Sequence, residues 1–481
     1  MLALYIILGI ISVLAVFFAV IIVRTIAFTP KKLSEVMSEP VFVNVEKSAN
    51  DLAEMLKCKT VSDKNSDNED DGEFLKFEEL LKTLFPNVHK KCTLEKPDKR
   101  ALLYKWEGKT HDAPAVLMSH YDVVSVNEDK WEKPAFSGII ENGVLWGRGA
   151  LDTKSTLNGV LQAAEALIEE GFVPHCDVYF AFSGNEEING GGAPSIVDLF
   201  EKRGITPGIV LDEGGAVVSD VFPGVKDQCA LIGIAEKGML NIEYSVHGGG
   251  GHSSAPAPHT PVGRLSRACV RLENKPFKFR LTPPAKKLFD SLARRSNFLY
   301  RMIFANLWCF APVLNLIAFK VGGQMNALVR TTVAFTQMEG SKGINVIPPE
   351  ARMASNLRLM HGDTVESAVE RIKKTVKDEK IEIKVINGND PSRISVTDCT
   401  AYSKLEAVIR ENWQGVLVSP YLMIACSDSR HWGRISDKVY RFSPFAITKE
   451  ENDTIHGNNE RIPVGTITKV VEFYIRLIKK L

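Results

Sequence analysis

The sequence predicts an α/β fold: a catalytic domain with a mainly parallel sheet, an inserted α+β domain and an N-terminal transmembrane helix. Short apolar runs alternate with helix-length segments, which is typical of parallel α/β sheets. Apolar residues in the middle of the chain recur at every second position, and the first 23 residues carry no charged side chain. We therefore divide the chain into an anchor (1–24), a catalytic domain in two parts (25–236 and 393–481) and an inserted domain (237–392).

The N-terminal segment is long enough to cross a membrane. At about 1.5 Å per residue, residues 1–23 exceed the roughly 30 Å of a hydrocarbon core. A cleaved signal peptide would carry a basic start, a shorter apolar core and a small-residue cleavage site, and none of these is evident. We therefore expect a single-pass transmembrane anchor.

The charges beside this anchor favour a cytoplasmic catalytic domain. Arg24, Lys31 and Lys32 follow the anchor and nothing basic precedes it, so the positive-inside rule keeps the following chain in the cytoplasm. The eight cysteines show no framework spacing, which agrees with reduced thiols. A glycosylation sequon at Asn452 favours the opposite side, but a glycan there would obstruct the site residue His456.

The GRGALDTK stretch at 147–154 places a carboxylate, Asp152, between a glycine-rich turn and a buried helix. An apolar stripe with i, i+3, i+4 spacing from Leu157 to Ile168 predicts this helix, which stops at Gly171. The N–H groups at the start of a helix favour an anion. Because such a residue is commonly only a cap, the neighbouring motifs decide its interpretation.

Three predicted strands end in side chains that can bind a metal. The apolar runs 115–118, 178–182 and 208–211 are followed by Ser119-His120-Tyr121-Asp122, by Ser183-Gly184-Asn185-Glu186-Glu187 and by Asp212-Glu213. The carboxyl ends of parallel strands meet at one edge of a sheet. Because packing several carboxylates there would be costly without cations, the sequence predicts a metal site.

These motifs, with HGGGGHSSAP and IHGNNERIP further along, resemble the di-zinc peptidase family of carboxypeptidase S, aminoacylase, glutamate carboxypeptidase and acetylornithine deacetylase. The LDEGG and GGHSSAP forms lean toward the carboxypeptidase S branch. The resemblance implies two zinc ions bridged by Asp152, with His120 and Asp212 completing one site and Glu187 and His456 the other. The same ligands accept cobalt or manganese, so the identity of the metal stays open.

The resemblance also implies which residues take part in catalysis. Glu186 is the expected general base, which takes a proton from the attacking water. Asp122, two residues after His120, is expected to orient that imidazole ring. A simple strand-end cap is the alternative explanation of Asp122.

The middle of the chain is predicted to form a ferredoxin-like lid. Its patterns follow the order strand, helix, strand, strand, helix, strand. One helix is predicted to start at Thr260-Pro261 and the other at Asp363, where Glu366 fits a capping box. A small sheet domain that is inserted into the catalytic domain and serves as a lid is also what the family resemblance implies.

A second apolar stretch, 297–319, lies inside the predicted lid. Arg301 and Pro312 interrupt it, so we expect an amphipathic or buried helix of a lid insertion and not a second membrane span. The role of the surrounding segment, 276–325, stays open.

Four more residues match substrate-binding positions of the resembling family. His252 in GGGGHSSAP matches the histidine that steadies the oxyanion, often across a dimer interface, so a homodimer through the lid is expected. Asn345 and Arg358 match substrate positions, and an arginine can hold a carboxylate through two hydrogen bonds. Ser427 keeps a hydroxyl, although the glycine that the family often has beside this position is missing.

The expected function is zinc-dependent hydrolysis of an amide bond next to a free carboxylate, in a peptide, a dipeptide or an N-acyl amino acid. The chain has 481 residues, 45% of them hydrophobic, and a formal net charge of +1, so nucleic-acid binding is not indicated. One alternative is a catalytically silent peptide-binding or assembly protein, which the loss of a site residue would favour, and none is missing. Another is a hydrolase of a non-peptide amide.

Overall fold

The computed structural model describes residues 1–30, 36, 38–219 and 224–481. Lys31 and Lys32, which contributed to the predicted orientation, lie outside the described residues. The helices are α1 (Leu2–Ala27), α2 (Val45–Leu56), α3 (Asp71–Leu84), α4 (Pro86–Lys91), α5 (Lys154–Glu169), α6 (Gly192–Arg203), α7 (Pro261–Glu273), α8 (Pro283–Ala293), α9 (Phe298–Ala305), α10 (Leu307–Val321), α11 (Gly323–Ala327), α12 (Val365–Val376), α13 (Thr400–Asn412), α14 (Lys449–Asn452) and α15 (Val464–Lys480). The strands are β1 (Thr93–Glu95), β2 (Ala101–Trp106), β3 (Thr110–His120), β4 (Ile139–Glu141), β5 (Val144–Trp146), β6 (Cys176–Ser183), β7 (Ile209–Val218), β8 (Cys229–Glu236), β9 (Gly238–His247), β10 (Gly251–His252), β11 (Thr332–Glu339), β12 (Val346–Ile347), β13 (Glu350–Leu359), β14 (Glu382–Asn389), β15 (Leu417–Met423), β16 (Val439–Ala446) and β17 (Arg461–Pro463).

The largest sheet has eight strands in the order β1-β2-β6-β3-β7-β16-β8-β15. Strands β6, β3, β7 and β16 run parallel, as do β8 and β15. Strands β1, β2 and β6 pair antiparallel, and β8 is antiparallel to both β7 and β16. The sheet is therefore mixed, with four of its seven neighbouring strand pairs parallel. The links from β1 to β2 and from β7 to β8 are too short for the crossover that parallel strands need.

Helices cover both faces of this sheet. Residues of α2, α5, α13 and α15 pack into one large apolar core, and those of α6 pack with Trp432 into a second core on other strand residues. Strand β6 is buried at every position, because helices cover both faces of the sheet.

Helix α5 confirms the helix predicted after GRGALDTK. Its apolar stripe, including Leu157, Val160 and Leu161, is buried against the core. Gly159 lets α15 approach closely, since a Cβ at this position would lie 2.3 Å from Val470 Cγ1. This packing fixes the start of α5, and with it the loop that carries Asp152.

A second, four-stranded antiparallel sheet has the order β11-β13-β9-β14. Its core contains residues of α7 and α12. Strands β10 and β12 form a separate two-stranded ribbon. The helices α8–α11, which we call the helical insertion, lie between α7 and β11 and contribute to a core of their own.

Helix α1 is long and apolar enough to cross a membrane, with a mean hydropathy of 3.3, although a signal sequence would meet the same criterion. Its side chains are exposed except at Ile21 and Thr25, which are buried against the rest of the protein. Helices α9 and α10 form a second apolar pair that is bent by 114°.

Candidate metal centre and active site

Residues from five separate segments meet at one edge of the eight-stranded sheet. His120 is the last residue of β3, and Glu187 follows the end of β6. Glu213 lies in β7, Asp152 stands just before α5, and His456 lies in the loop after α14. The strands β6, β3 and β7 are parallel neighbours, so their carboxyl ends bring these side chains together.

Asp152 lies between two histidines. Its Oδ1 is 3.0 Å from His120 Nε2, and its Oδ2 is 2.9 Å from His456 Nε2. Glu187 approaches His456 Nε2 to 3.1 Å, and Glu213 Oε1 is 3.4 Å from His120 Nε2. The result is two groups of potential ligands, His120–Asp152–Glu213 and Asp152–Glu187–His456, each with its ligand atoms within 4.8 Å of one another. Both groups share Asp152.

Glu213 occupies the place that the sequence analysis gave to Asp212. Of the Asp212-Glu213 pair, the structure brings Glu213 Oε1 to 3.4 Å from His120 Nε2. The Asp212 carboxylate is buried, and its Oδ2 accepts a hydrogen bond of 2.9 Å from the Ser429 N–H. In this structure the group around His120 thus contains Glu213 where Asp212 was expected, and the role of Asp212 as a ligand stays a prediction.

The Asp122 carboxylate holds the loop that carries the two glutamates. Oδ1 accepts the N–H of Glu186 and Oδ2 that of Glu187, both at 3.1 Å. Ser62 donates its hydroxyl to Oδ2 at 2.6 Å. His120 Nδ1 lies 3.0 Å from the main-chain oxygen of Asp122 and 3.4 Å from Oδ1. Asp122 thus orients the imidazole chiefly through its carbonyl, which leaves Nε2 facing Asp152.

Glu460, which the sequence analysis missed, organises the loop before Asp152. Its carboxylate is fully buried and accepts the N–H groups of Gly149, Leu151 and Asp152 at 3.0, 2.7 and 3.1 Å. It also forms an ion pair of 2.6 Å with Arg148. The peptide bond that follows Asp152 is cis. The position of Glu460 within IHGNNERIP was the only signal in the sequence for this role.

The electrostatics of the cluster show an excess of negative charge. Burial raises the pKa of Glu187 and raises that of Glu213 to about 8. Burial alone would lower the pKa of His120. The nearby carboxylates, of which Glu213 has the largest effect, raise this pKa well above its usual value. Hydrogen bonds to Asp152 and Glu187 raise the pKa of His456 to about 10. A cluster of several buried carboxylates is expected where cations bind, because the cations offset the repulsion between the carboxylates.

The donor set fits a pair of divalent metal ions. Each group combines one imidazole nitrogen with carboxylate oxygens from two residues, a mixture that zinc accepts. A carboxylate with one oxygen toward each group, as Asp152 has, is suited to contact two ions at once. Cobalt and manganese accept the same ligands.

Glu186 lies beside this cluster but belongs to neither group of potential ligands. Burial raises the pKa of its carboxyl well above the usual value, and the carboxylates of Asp428 and Glu213 add to the effect. A carboxylate with a raised pKa is suited to accept a proton near neutral pH.

The structure does not bring His252 and Asn345 to the cluster of the same chain. Both are exposed at the β10–β12 ribbon, where the Ser253 N–H donates to the main-chain oxygen of Asn345 at 3.1 Å. His252 Nδ1 lies 2.9 Å from the hydroxyl of Ser254. Among the described residues, neither side chain forms a hydrogen bond with a residue of the metal cluster.

Ser427 is fully buried and does not face open solvent. Its hydroxyl donates to Glu236 Oε1 at 3.0 Å, and its N–H donates to Oε2 at the same distance. Glu236 also accepts the Ser429 hydroxyl and pairs with Arg441 at 2.5 Å. The Ser427 hydroxyl therefore holds the loop through Glu236, and its predicted contact with substrate stays a prediction.

Two arginines lie next to this loop without a carboxylate partner. Arg358 Nη1 is 3.3 Å from Cys426 Sγ. Arg430 donates to Asn189 Oδ1 at 2.9 Å and to the Ser427 main-chain oxygen at 3.1 Å. Within the described parts of the chain, neither guanidinium forms an ion pair. Both are therefore free to bind an anionic group.

Comparisons with known proteins agree with this fold. Residues 116–480 match the family described as Peptidase family M20/M25/M40. The chain is 34% identical over 473 residues to Probable carboxypeptidase S-like 2 of Dictyostelium discoideum, covering 95% of this chain and 91% of that protein. It is 35% identical to N-fatty-acyl-amino acid synthase/hydrolase PM20D1 of Xenopus tropicalis, covering 97% and 93%.

A solved structure shows the same fold. The M20 family metallo-carboxypeptidase Sso-CP2 from Sulfolobus solfataricus aligns with a TM-score of 0.66 at 20% identity, covering 90% of this chain and 98% of that chain. The family resemblance that the motifs predicted is thus confirmed by sequence. The chain belongs to peptidase family M20/M25/M40.

Proposed function

We propose that this protein uses two zinc ions per chain to hydrolyse an amide bond next to a free carboxylate. The observation that carries the proposal is the position of Asp152, with one oxygen toward His120 and the other toward His456. When bound, such a pair of ions supplies polarisation of the scissile carbonyl and stabilisation of developing negative charge. The membership of a peptidase family supports a hydrolase.

Glu186 is the proposed general base in this reaction. It would accept a proton from the attacking water and return it to the leaving amine. Its raised pKa supports the first step, because a stronger base accepts the proton of the water more readily. Asp122 supports the chemistry indirectly, since it fixes the backbone N–H groups of both Glu186 and Glu187.

Arg358 is the proposed recognition group for the substrate carboxylate, with Arg430 beside it. The guanidinium of Arg358 is partly buried and contacts the neutral Cys426 in place of a carboxylate. A partly desolvated arginine without an ion pair gains most from a bidentate carboxylate. We assign His252 and Asn345 to the oxyanion and substrate sites of a second copy in a homodimer, because both are exposed in this chain.

The substrate classes that we propose are the C-terminal peptide bond, dipeptides and N-acyl amino acids. The names of two relatives, a carboxypeptidase S-like protein and an N-fatty-acyl-amino acid synthase/hydrolase, support the first and the last. In each class a free carboxylate stands next to the amide that is cleaved. The purified full chain should therefore hydrolyse members of these classes, lose activity with a chelator and recover it when zinc is added back. Activity that is indifferent to chelators would contradict the proposal.

The role of Arg358 can be tested on paired substrates, one with a free carboxylate and one with a carboxamide. Arg358→Ala should lower kcat/KM for the carboxylate substrate by a factor of about 10–10², which corresponds to the loss of a charge-assisted hydrogen bond. The carboxamide, already a poor substrate, should lose little more. Arg352→Ala is the matched control, because Arg352 lies on the same strand but pairs with Glu350 on the surface. Equal losses on both substrates would assign Arg358 to the lid structure instead.

We further propose that α1 stays in place as a single-pass anchor with the catalytic domain in the cytoplasm. The contacts of Ile21 and Thr25 with the rest of the protein support retention of the helix. In sealed vesicles with native orientation, protease added to the cytoplasmic side should digest the catalytic domain. A glycan at Asn452 would place this domain on the opposite side.

A further inference from the structure

We infer that helices α9 and α10 insert into the lipid bilayer beside α1, where the outward side chains of α10 contact the acyl chains. The inference goes beyond the proposed hydrolase activity and beyond a single-pass anchor. It assigns a role to the helical insertion, which the proposed chemistry does not use.

The outer side of α10 is apolar and open. Trp308, Val313, Leu316, Ile317, Phe319 and Val321 are between 42% and 72% exposed. The inner side packs through Leu314 and Ala318 into the core of the helical insertion. Exposed Lys320, in the last turn, interrupts this face. Soluble proteins rarely leave this many apolar side chains together in water, so the face requires an apolar partner.

Specific hydrogen bonds attach α9 and α10 to the end of α1. The Arg24 guanidinium donates to the main-chain oxygen of Ala305 at 3.2 Å. Between the two helices, the Asn306 amide donates to the main-chain oxygen of Ile21 and to the Thr25 hydroxyl, both at 3.2 Å. Two residues later, at the start of α10, the Trp308 ring packs edge to face against Phe17 of α1, with ring centres 5.6 Å apart. These contacts fix the height of the start of α10 along α1.

This height places α10 at the boundary of the bilayer. The apolar part of α1 ends at Val23, and Phe17 lies six residues earlier, which is about 9 Å along a helix. Trp308 therefore lies below the surface of the hydrocarbon core whenever α1 crosses it. The guanidinium carbon of Arg294 lies 4.1 Å from the centre of the Phe28 ring, just beyond α1. Because a charged head group stays in the polar region while its stem covers apolar surface, Arg294 marks the level of the lipid headgroups. The bend of 114° between α9 and α10 excludes a second straight span and favours a shallow position.

A lipid bilayer suits this face better than a second protein chain. The apolar face of α10 adjoins α1, whose own side chains are exposed over most of its length. A protein partner on α10 alone would leave the side chains of α1 in water. A bilayer covers both surfaces at once.

The test uses the full chain in vesicles of phosphatidylcholine with brominated acyl chains, which quench only tryptophan that they contact. Trp308→Phe should remove most of the bromine-sensitive tryptophan emission. Trp146→Phe is the matched control, because Trp146 is partly exposed on β5 of the catalytic domain, and it should leave the bromine-sensitive emission unchanged. Equal bromine-sensitive emission in the two variants would overturn the inference.

A second measurement needs no substitution. A phosphatidylcholine with a diazirine on its acyl chain is activated by light at a low ratio of protein to lipid, and the modified peptides are identified by mass spectrometry. Adducts on peptides from both α1 and α10 are the expected result. Adducts on α1 alone would overturn the inference, and so would cross-links between two copies through α10 in place of lipid adducts.

Discussion

At the scale of single residues, the neighbours Glu213 and Asp212 lie in different surroundings and should behave differently when they are neutralised. Glu213→Gln should reduce bound zinc from about two equivalents toward one, because it removes a carboxylate that faces His120. Asp212→Asn should keep both equivalents, since Asp212 bonds to the Ser429 N–H outside either group. Metal analysis after dialysis against trace zinc compares the two variants. A loss of metal in Asp212→Asn alone would restore Asp212 as the ligand.

Glu186 and Glu187 offer a second pair of adjacent residues with separate proposed roles. Glu186→Gln should retain the metal but lower turnover by about 10²–10⁴-fold, the usual cost of losing a general base. Glu187→Gln should lower the affinity for metal, because Glu187 lies 3.1 Å from His456 within one ligand group. Parallel kinetic and metal measurements separate the two effects. Turnover at the wild-type rate in Glu186→Gln would remove Glu186 from the mechanism.

Sequence motifs were sufficient to predict that four side chains meet at one edge of the sheet. His120, Asp152, Glu187 and His456 come together as the motifs indicated. The resemblance favoured Asp212 over Glu213, whereas the structure places Glu213 near His120, a choice that depends on the local course of β7. The buried partners Glu460 and Glu236 depend on contacts between residues distant in sequence, which motif spacing does not contain.

At the scale of elements, the contact between α5 and α15 depends on the missing side chain of Gly159. Gly159→Ala should destabilise the protein by about 1–3 kcal/mol, because the new Cβ would lie 2.3 Å from Val470 Cγ1. Val470→Ala removes that methyl group and restores space. Denaturant unfolding of the two single variants and the double variant should show a double-variant loss smaller than the sum of the single losses. Additive losses would show that α15 shifts to accommodate the Cβ.

Elements with a regular apolar period could be predicted from sequence, whereas their ends and directions could not. Helix α5 was predicted because its stripe repeats over about three turns. The capping box predicted at Asp363 and Glu366 is wrong by one position, since Thr364 caps α12 together with Ser367. The antiparallel course of β8 follows from its short link to β7, which an apolar run of that length does not reveal.

At the scale of the whole molecule, Lys237 links the two sheets and should make stability depend on pH. It is fully buried between β8 and β9, and its ammonium donates to the main-chain oxygens of Ala327 and Arg330 at 3.0 and 2.8 Å. Burial lowers its pKa from 10.5 to about 7. Between these values the unfolded chain holds the proton and the folded protein does not, so this group makes stability rise with pH from about 7 to about 10.

Replacement of this lysine isolates its share of the pH dependence. Lys237→Met should flatten the rise in the free energy of unfolding over this window, by at most about 1.4 kcal/mol per pH unit. Lys384→Met, at an exposed position of β14, is the control and should keep the wild-type slope. Denaturant titrations at several pH values provide the comparison. Identical slopes in all three proteins would show that Lys237 stays protonated in the fold.

The position of β16 has a consequence for how the chain is made. Residues 439–446 form a central strand that lies between β7 and β8, yet they are synthesised more than 200 residues after either neighbour. While the ribosome is still adding these residues, β7 and β8 present long backbone edges that another nascent chain could pair with. Chains that terminate before residue 439 would keep this gap permanently, so truncated products should aggregate and not yield a smaller folded enzyme.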